Sequence, residues 1–329
     1  MFKKLIIFAL TIGIILALSV YWNSTKIQTE GYNTDLVRIA GFRKNLSSLA
    51  IRLIMEEKGF FEAELPEGVN VEWSTIPSST DQRDAIVSGT IDIGAFASSV
   101  AISAIDQGLP ITCLSVMPYT NAALYTNRET IHRLEDLNGE DKIIMVTALG
   151  AHQHLAFQAA CWEYLGDAHK FDGQVIAMTL GDALETMKNF DDAQASVIVD
   201  SPGMKLNLTK IMDLKKYYSQ YELSSINATS QKFAAENPMI IEAYYTAERE
   251  TIKFISEHPE EAAKILSKYW EGESIENIIQ LFKNTPPRIA ISESAYDRLA
   301  EFMYEIGNID NPPQKFSELP NYADIPKIP

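Results

Sequence analysis

Residues 37–61, VRIAGFRKNLSSLAIRLIMEEKGFF, read as a strand, a polar loop and a helix in immediate succession, which commits a chain of this length to a layered α/β architecture. Val37, Ile39 and Phe42 supply strand character, and Gly41 lets the chain turn. Ser47 or Ser48 caps a helix that buries Leu49, Leu53 and Ile54, and Gly59 stops it. Such a junction presents unpaired N–H groups and the positive end of a helix dipole, and Arg43 and Lys44 add cationic donors beside them. The same arrangement is ordinary scaffolding in any α/β domain, so by itself it names a candidate ligand loop and no ligand.

The pattern recurs. VNVEWSTIP alternates as a second strand, and Ser79 with Gln82 forms a capping-box start for a helix ending at Gly89. IDIGAFASSV follows as a third strand whose slim end, Gly94, Ala95 and Ala97, leads to Ser98 and Ser99 at the start of another helix, closed by Gly108. Two hydroxyl-bearing helix starts after neighbouring parallel strands lie on one edge of the sheet, where open α/β sheets bind ligands. Residues 110–126 are long, extended and aromatic, as expected of a hinge strand passing from one lobe to another. Beyond them the strand–helix pattern restarts: a strand over 142–147, a helix over about 151–165, strands over 174–180 and 195–199 with a helix between, and Asp200-Ser201-Pro202 opening a further helix. From Ser230 the sequence reads as successive helices that brace the first lobe, ending in a proline-rich tail that wraps the surface. The predicted lobes are residues 35–120 with 221–329, and residues 121–220.

Lys3 and Lys4, the apolar run 5–20 and the polar turn at Asn23 read as an export signal, cleaved near Ser19 or retained as an anchor over residues 1–22. No cysteine precedes Cys113, which excludes attachment through a lipidated cysteine at the head of a processed chain. Cys113 and Cys161 are either one disulfide or two buried thiols. A net charge of −16 over 329 residues argues against nucleic acid or an anionic membrane surface as partner, while leaving room for a small anion in a locally positive cleft.

The order of four blocks, VRIAGFRKNLSSLAIRLIMEEKGFF, DAIVSGTIDIGAFASSVAISAIDQGLPI, LEDLNGEDKIIMVTALGAHQHLAF and QKFAAENPMIIEAYYTA, resembles the extracytoplasmic substrate-binding proteins of ABC transporters of the nitrate, sulfonate and taurine class. The resemblance implies an α/β fold, a two-lobed periplasmic binding protein type II clamshell with a helical C-terminal region, closing on a small molecule by hinge motion. It implies delivery to an ABC permease in the membrane by a monomer outside the cytoplasm, with no enzymatic activity, cofactor or metal. Carried onto this sequence, the ligand-facing residues are Asn45, Ser47 and Ser48, with Arg43 nearby, then Ser98 and Ser99, and from the opposite lobe Thr147 to His152. The last family block, commonly tryptophan, glutamate and proline, is here Asp200, Ser201 and Pro202, so the ligand need not be the family's usual one. Asp200 is placed to accept an N–H of the ligand or to cap the next helix. Some relatives are pyrimidine synthases of thiamine metabolism that consume a histidine of the first loop, and no histidine stands there. That enzyme, and a membrane-anchored sensor with the same clamshell, are the alternatives.

His152 and His154 are two apart on a helix and point about 200° apart, which prevents them from chelating one ion together. His152 is expected at the cleft and His154 as a cap or packing residue. Trp73, Phe96 and Tyr119 are candidates to stack on a planar ligand, against the ordinary reading of core aromatics. No GxSxG elbow, HExxH helix, P-loop or CxxC pair occurs, so common hydrolase, metalloprotease, nucleotide and redox signatures are missing.

Overall fold

The computed structural model describes residues 31–42, 48–118, 122–137, 143–191, 193–199, 207–270, 273–284 and 293–318. The expected signal or anchor at residues 1–22, the loop residues Arg43, Asn45 and Ser47, Tyr119, Asp200 and the tail from 319 lie outside them.

The first sheet runs β2 (Asn70–Thr75), β1 (Leu36–Gly41), β3 (Ile93–Ala97), β10 (Ser224–Ser230) and β4 (Ile111–Pro118). Strands β1, β2 and β3 are parallel, and β10 is antiparallel to both β3 and β4. Val37 and Ile39 of β1 enter one core with Leu53 and Ile54 of α1 (Ser48–Lys58), while Ala40 enters the core on the opposite face, so alternation along the strand is what separates the two helical layers. Helix α2 (Phe60–Glu64) follows the left-handed Gly59, and α3 (Ser79–Val87) and α4 (Ser98–Asp106) are each fed by the strand before them.

The second sheet runs β7 (Val175–Ala177), β6 (Ile143–Val146), β8 (Ala193–Val199), β5 (Ala122–Thr126) and β9 (Thr209–Asp213). Its cover is α5 (His152–Leu165), α6 (Leu180–Asn189) and α7 (Lys215–Gln220). Residues 110–126 become two strands, β4 in the first sheet and β5 in the second, so the chain crosses between lobes there. It returns between α7 and β10. These are the two lobes of the clamshell, each an open α/β sheet.

The C-terminal region is helical: α8 (Gln231–Glu236), α9 (Pro238–Glu257), α10 (Pro259–Ser267), α11 (Ile275–Asn284) and α12 (Glu293–Glu305). Proline opens α9 and α10, where its missing N–H costs nothing. Helices α9, α10 and α11 share a core with the first sheet, whereas Leu299, Phe302, Met303 and Ile306 of the α12 region share one with α5, α7 and the second sheet.

One local reading needs correction, one unassigned stretch gains its elements, and one pair of alternatives is resolved. Ser78, not Ser79, caps α3, accepting the N–H of Asp81, and the Gln82 side chain instead crosses to the sheet, donating to Ile76 O and accepting the Ala95 N–H. Residues 207–230, unassigned by periodicity, form β9, α7 and the central strand β10. Cys113 and Cys161 are both free thiols. Among the described residues no helix is long and apolar enough to cross a membrane.

Candidate functional site

The residues that follow β3 in one lobe and β6 in the other meet between the sheets. Gly94 and Gly41 let the side chains of the covering helices pack close against the first sheet. A Cβ on Gly94 would sit 3.0 Å from Ile91 Cδ1 and 3.1 Å from Ile86 Cδ1, and one on Gly41 would press on Arg52 Cδ at 3.1 Å. Helix α4 starts directly from Ala97 and α5 directly from Ala151, and neither of these two residues offers a side chain to its helix N-terminus. Two helix starts, one per lobe, are therefore left without a side-chain N-cap from the residue that precedes them.

The lobes touch at these starts. Ser99, fully buried, donates its hydroxyl to Gly150 O across the interface at 2.6 Å. In the opposite sense His152 Nε2 bonds to the carbonyl of Ser224 on β10. A carbonyl only accepts, so Nε2 carries a proton. Burial holds the His152 pKa down at about 4, in spite of that bond. Ser224 N–H in turn donates to Ser98 Oγ at 3.4 Å. Ala148 and Ala151 join the apolar core formed by Phe96, Val100 and Ile226 of the first lobe, so the contact is a small apolar seal with polar bonds beside it.

Gly150 is held from a second direction. Its N–H donates to His154 Nδ1 at 3.0 Å, which leaves the His154 proton on Nε2, 3.4 Å from Asp172 Oδ1 without meeting hydrogen-bond geometry. His154 thus closes the turn that precedes its own helix. The turn requires glycine, since Gly150 has φ 71°.

Of the residues named from sequence, the structure brings Ser98, Ser99 and His152 together in one contact and places Thr147 exposed at the end of β6. Ser48 is the first residue of α1. Arg43, Asn45, Ser47 and Asp200 lie outside the described residues. Trp73 lends its indole N–H to Glu62 at 2.7 Å and its face to the Arg52 guanidinium at 5.4 Å, and Phe96 is wholly buried, so both have structural partners. Arg52 escaped the sequence reading. It is 6% exposed, donates to Ser74 O at 3.0 Å and pairs with Glu56, and a lone arginine in an apolar helix face was the available signal. Among the described residues no cluster of three or more histidine, cysteine, aspartate or glutamate side chains is arranged to hold a metal.

The family profile NMT1, NMT1/THI5 like, matches residues 48–262, more than half of the chain and inclusive of both helix starts. The chain belongs to the NMT1/THI5-like family. No curated protein matches this NMT1/THI5-like chain in sequence. Among solved structures it is similar to the alkanesulfonate-binding protein SsuA from Xanthomonas axonopodis pv. citri bound to MOPS, at 13% identity and TM-score 0.69, covering 84% of this chain and 95% of that one. It is similar to the periplasmic aliphatic sulphonate binding protein SsuA from Escherichia coli, at 17% identity and TM-score 0.63, covering 86% and 94%. It also resembles the periplasmic nitrate-binding protein NrtA from Synechocystis PCC 6803, at 16% identity and TM-score 0.56, covering 75% and 69%. At these identities the likeness establishes the fold that the NMT1/THI5-like chain adopts.

Proposed function

We propose that this protein is an extracytoplasmic solute-binding protein that captures a small polar organic ligand between its lobes and delivers it to an ABC importer. The observation that carries the reading is the meeting of two helix starts without side-chain N-caps, α4 from one lobe and α5 from the other, at the line where Ser99 reaches Gly150. The positive dipole ends of both helices then favour one acceptor-rich ligand head, and the ligand's own bonds to both lobes favour closure. The family match and the sulfonate- and nitrate-binding proteins of the same fold support this reading. The ligand set is Arg43, Asn45, Ser47 and Ser48 on the first loop, Ser98 and Ser99 at α4, and Thr147, His152 and Asp200 on the second lobe. Ser99 spends its proton on Gly150, so among the two serines Ser98 is the one with a hydroxyl proton to offer. Export by the N-terminal segment, lobes of 35–120 with 221–329 and of 121–220, and a monomeric state belong to the same proposal.

A thermal-shift screen over MOPS, taurine, nitrate, pyrimidines and aromatic acids tests it. A ligand at a hundred times its dissociation constant stabilises the protein by about 2.7 kcal/mol, with the ligand recovered unchanged. Product formation from a hit overturns the binding-protein reading in favour of an enzyme.

A further inference from the structure

The C-terminal helix ends in a way that ties it to both lobes. Gly307 takes the left-handed conformation, with φ 77°, its N–H bonds to Tyr304 O, and the N–H of Asn308 reaches back to Met303 O at 2.7 Å. This is a Schellman ending, and it leaves the carbonyl of Ile306 facing outward at the negative end of the α12 dipole. His169, in the loop after α5, fills that position: its Nε2 bonds to Ile306 O at 2.5 Å and its Nδ1 to Asp172 Oδ2 at 2.6 Å. Both partners are acceptor oxygens, so making the two bonds at once calls for a proton on each ring nitrogen, as in an imidazolium; the Gln158 amide lies farther from Nδ1, at 3.3 Å.

On one side of this cap the segment is fastened to the second lobe. Asn308 Nδ2 donates to Gln158 Oε1 at 2.8 Å, Phe302 stacks on Tyr221 at 4.4 Å, and Arg298 bonds to Gln220 O and Glu222. On the other side it is fastened to the first. The Asp106 carboxylate at the end of α4 accepts the backbone N–H groups of Asp310 and Asn311 at 3.1 and 3.0 Å, and Phe316 packs against Ile105 and Cys113.

We propose that residues 293–318 form a strap across the two lobes and that His169 is its proton-controlled latch: the charged ring holds Asp172 and the Ile306 end of α12 together, whereas the neutral ring keeps its one proton on Nδ1 beside the carboxylate and turns a lone pair toward Ile306 O, which loosens that end. The groups facing the latch make it respond to its own proton. Asp172 and Asp167 lie on its loop, and Gln158 and His154 approach Asp172 from α5. The Cys161 thiol, pushed up chiefly by burial, is uncharged, and Glu305 in the last turn of α12 acts on Tyr221. The bond to Asp172 first, and the bond to Ile306 second, raise the His169 pKa above the ordinary histidine value. Because the folded value is raised, the hold is complete below the ordinary histidine pKa of about 6.5 and is lost as pH climbs through the folded value.

Three measurements on the full chain test the latch, and none requires a ligand. Ring NMR of His169, assigned by comparison with His169→Gln, should show titration above about 6.5, with a midpoint that falls by about one unit in Asp172→Asn. The melting temperature of wild type minus that of His169→Gln should be positive at acid pH and shrink toward zero at alkaline pH. Amide exchange at Asn308, Asp310 and Asn311, corrected for intrinsic rate, should speed up in wild type as His169 deprotonates and stay level in His169→Gln. Titration of His169 at or below the ordinary value, a melting difference that is the same at every pH, or strap exchange that ignores the proton would each overturn the proposal. Where His169→Gln does not fold, the wild-type titration and Asp172→Asn decide it.

Discussion

Asn227 donates its side-chain amide to Glu248 Oε1 at 2.7 Å in the interior of the first lobe, beside a second bond of the same length from the Ser115 hydroxyl. Asn227 belongs to β10, Ser115 to β4 and Glu248 to α9, so one carboxyl locates a helix over the junction of two strands. All three residues are buried, and a buried acid is costly when charged.

Glu248→Gln should therefore stabilise the protein at alkaline pH. Burial pushes the Glu248 pKa up to about 7, against the pull of Ser115 and Asn227. A raised folded value means that stability present at low pH is lost as pH rises through about 7. At about 1.4 kcal/mol per unit, glutamine, which keeps an acceptor for Asn227, should unfold later than wild type at pH 8 by on the order of 3 kcal/mol, with the gap closing toward pH 5. Urea melts at the two pH values check this.

His152 runs the other way. Burial lowers its pKa to about 4, so the protein loses stability as pH falls from the ordinary histidine value toward about 4. His152→Gln retains a donor for Ser224 O and has no ring to protonate. Its acid unfolding between pH 6 and 4 should be shallower than that of wild type, by on the order of 3 kcal/mol at the acid end. A slope identical to wild type counts against the buried neutral ring.

Ser99→Ala leaves the Gly150 carbonyl without its cross-lobe donor. The expected loss is about 0.5 to 1.5 kcal/mol in denaturant unfolding. Ser99→Cys, with a weaker donor, should fall between the two.

Neither thiol should react quickly in the native protein. Burial pushes the Cys113 pKa up to about 12 and raises that of Cys161 further, so little thiolate exists near neutral pH. A thiol-specific colour reagent should find two groups after unfolding and essentially none before, and reductant should leave the melting temperature unchanged.

Calorimetry of two variants sorts the ligand class once the thermal screen yields a hit. Asp200→Ala should weaken an amine-bearing or zwitterionic ligand by about 1.5 to 3 kcal/mol, the range for a bond to a charged group. If it binds as tightly as wild type while Arg43→Ala loses tenfold, the ligand is a simple anion gripped by the first loop.

Much of the fold was legible because most of its strands and helices announce themselves. Val37 and Ile39 alternate, Ile91 to Phe96 form an apolar run ending in small residues, and Gly59, Gly89, Gly108 and Gly166 stop helices in the left-handed conformation. Strand β10, SSINATS, was not legible. Its inward residues are serine, asparagine and threonine, and only the buried partners Ser115, Glu248 and Asp92 O make that polarity affordable. No local pattern reveals a partner 112 residues away in sequence. The same holds at the site: the spacing of Ser98, Ser99 and His152 put all three at helix starts, but which of them bond to one another depends on how two sheets face, and that is a property of the hinge.

Strand β10 lies between β3 and β4, which do not pair with each other, and it arrives only after the whole second sheet. The first sheet is thus a frame with its middle missing until residue 230 has been made. At about 5 to 20 residues per second, the gap between finishing β4 and supplying β10 is on the order of ten seconds. A nascent chain in this interval holds two unzipped strand edges that only its own later segment can fill. The first lobe therefore completes its fold late, after every strand of the second sheet has been made.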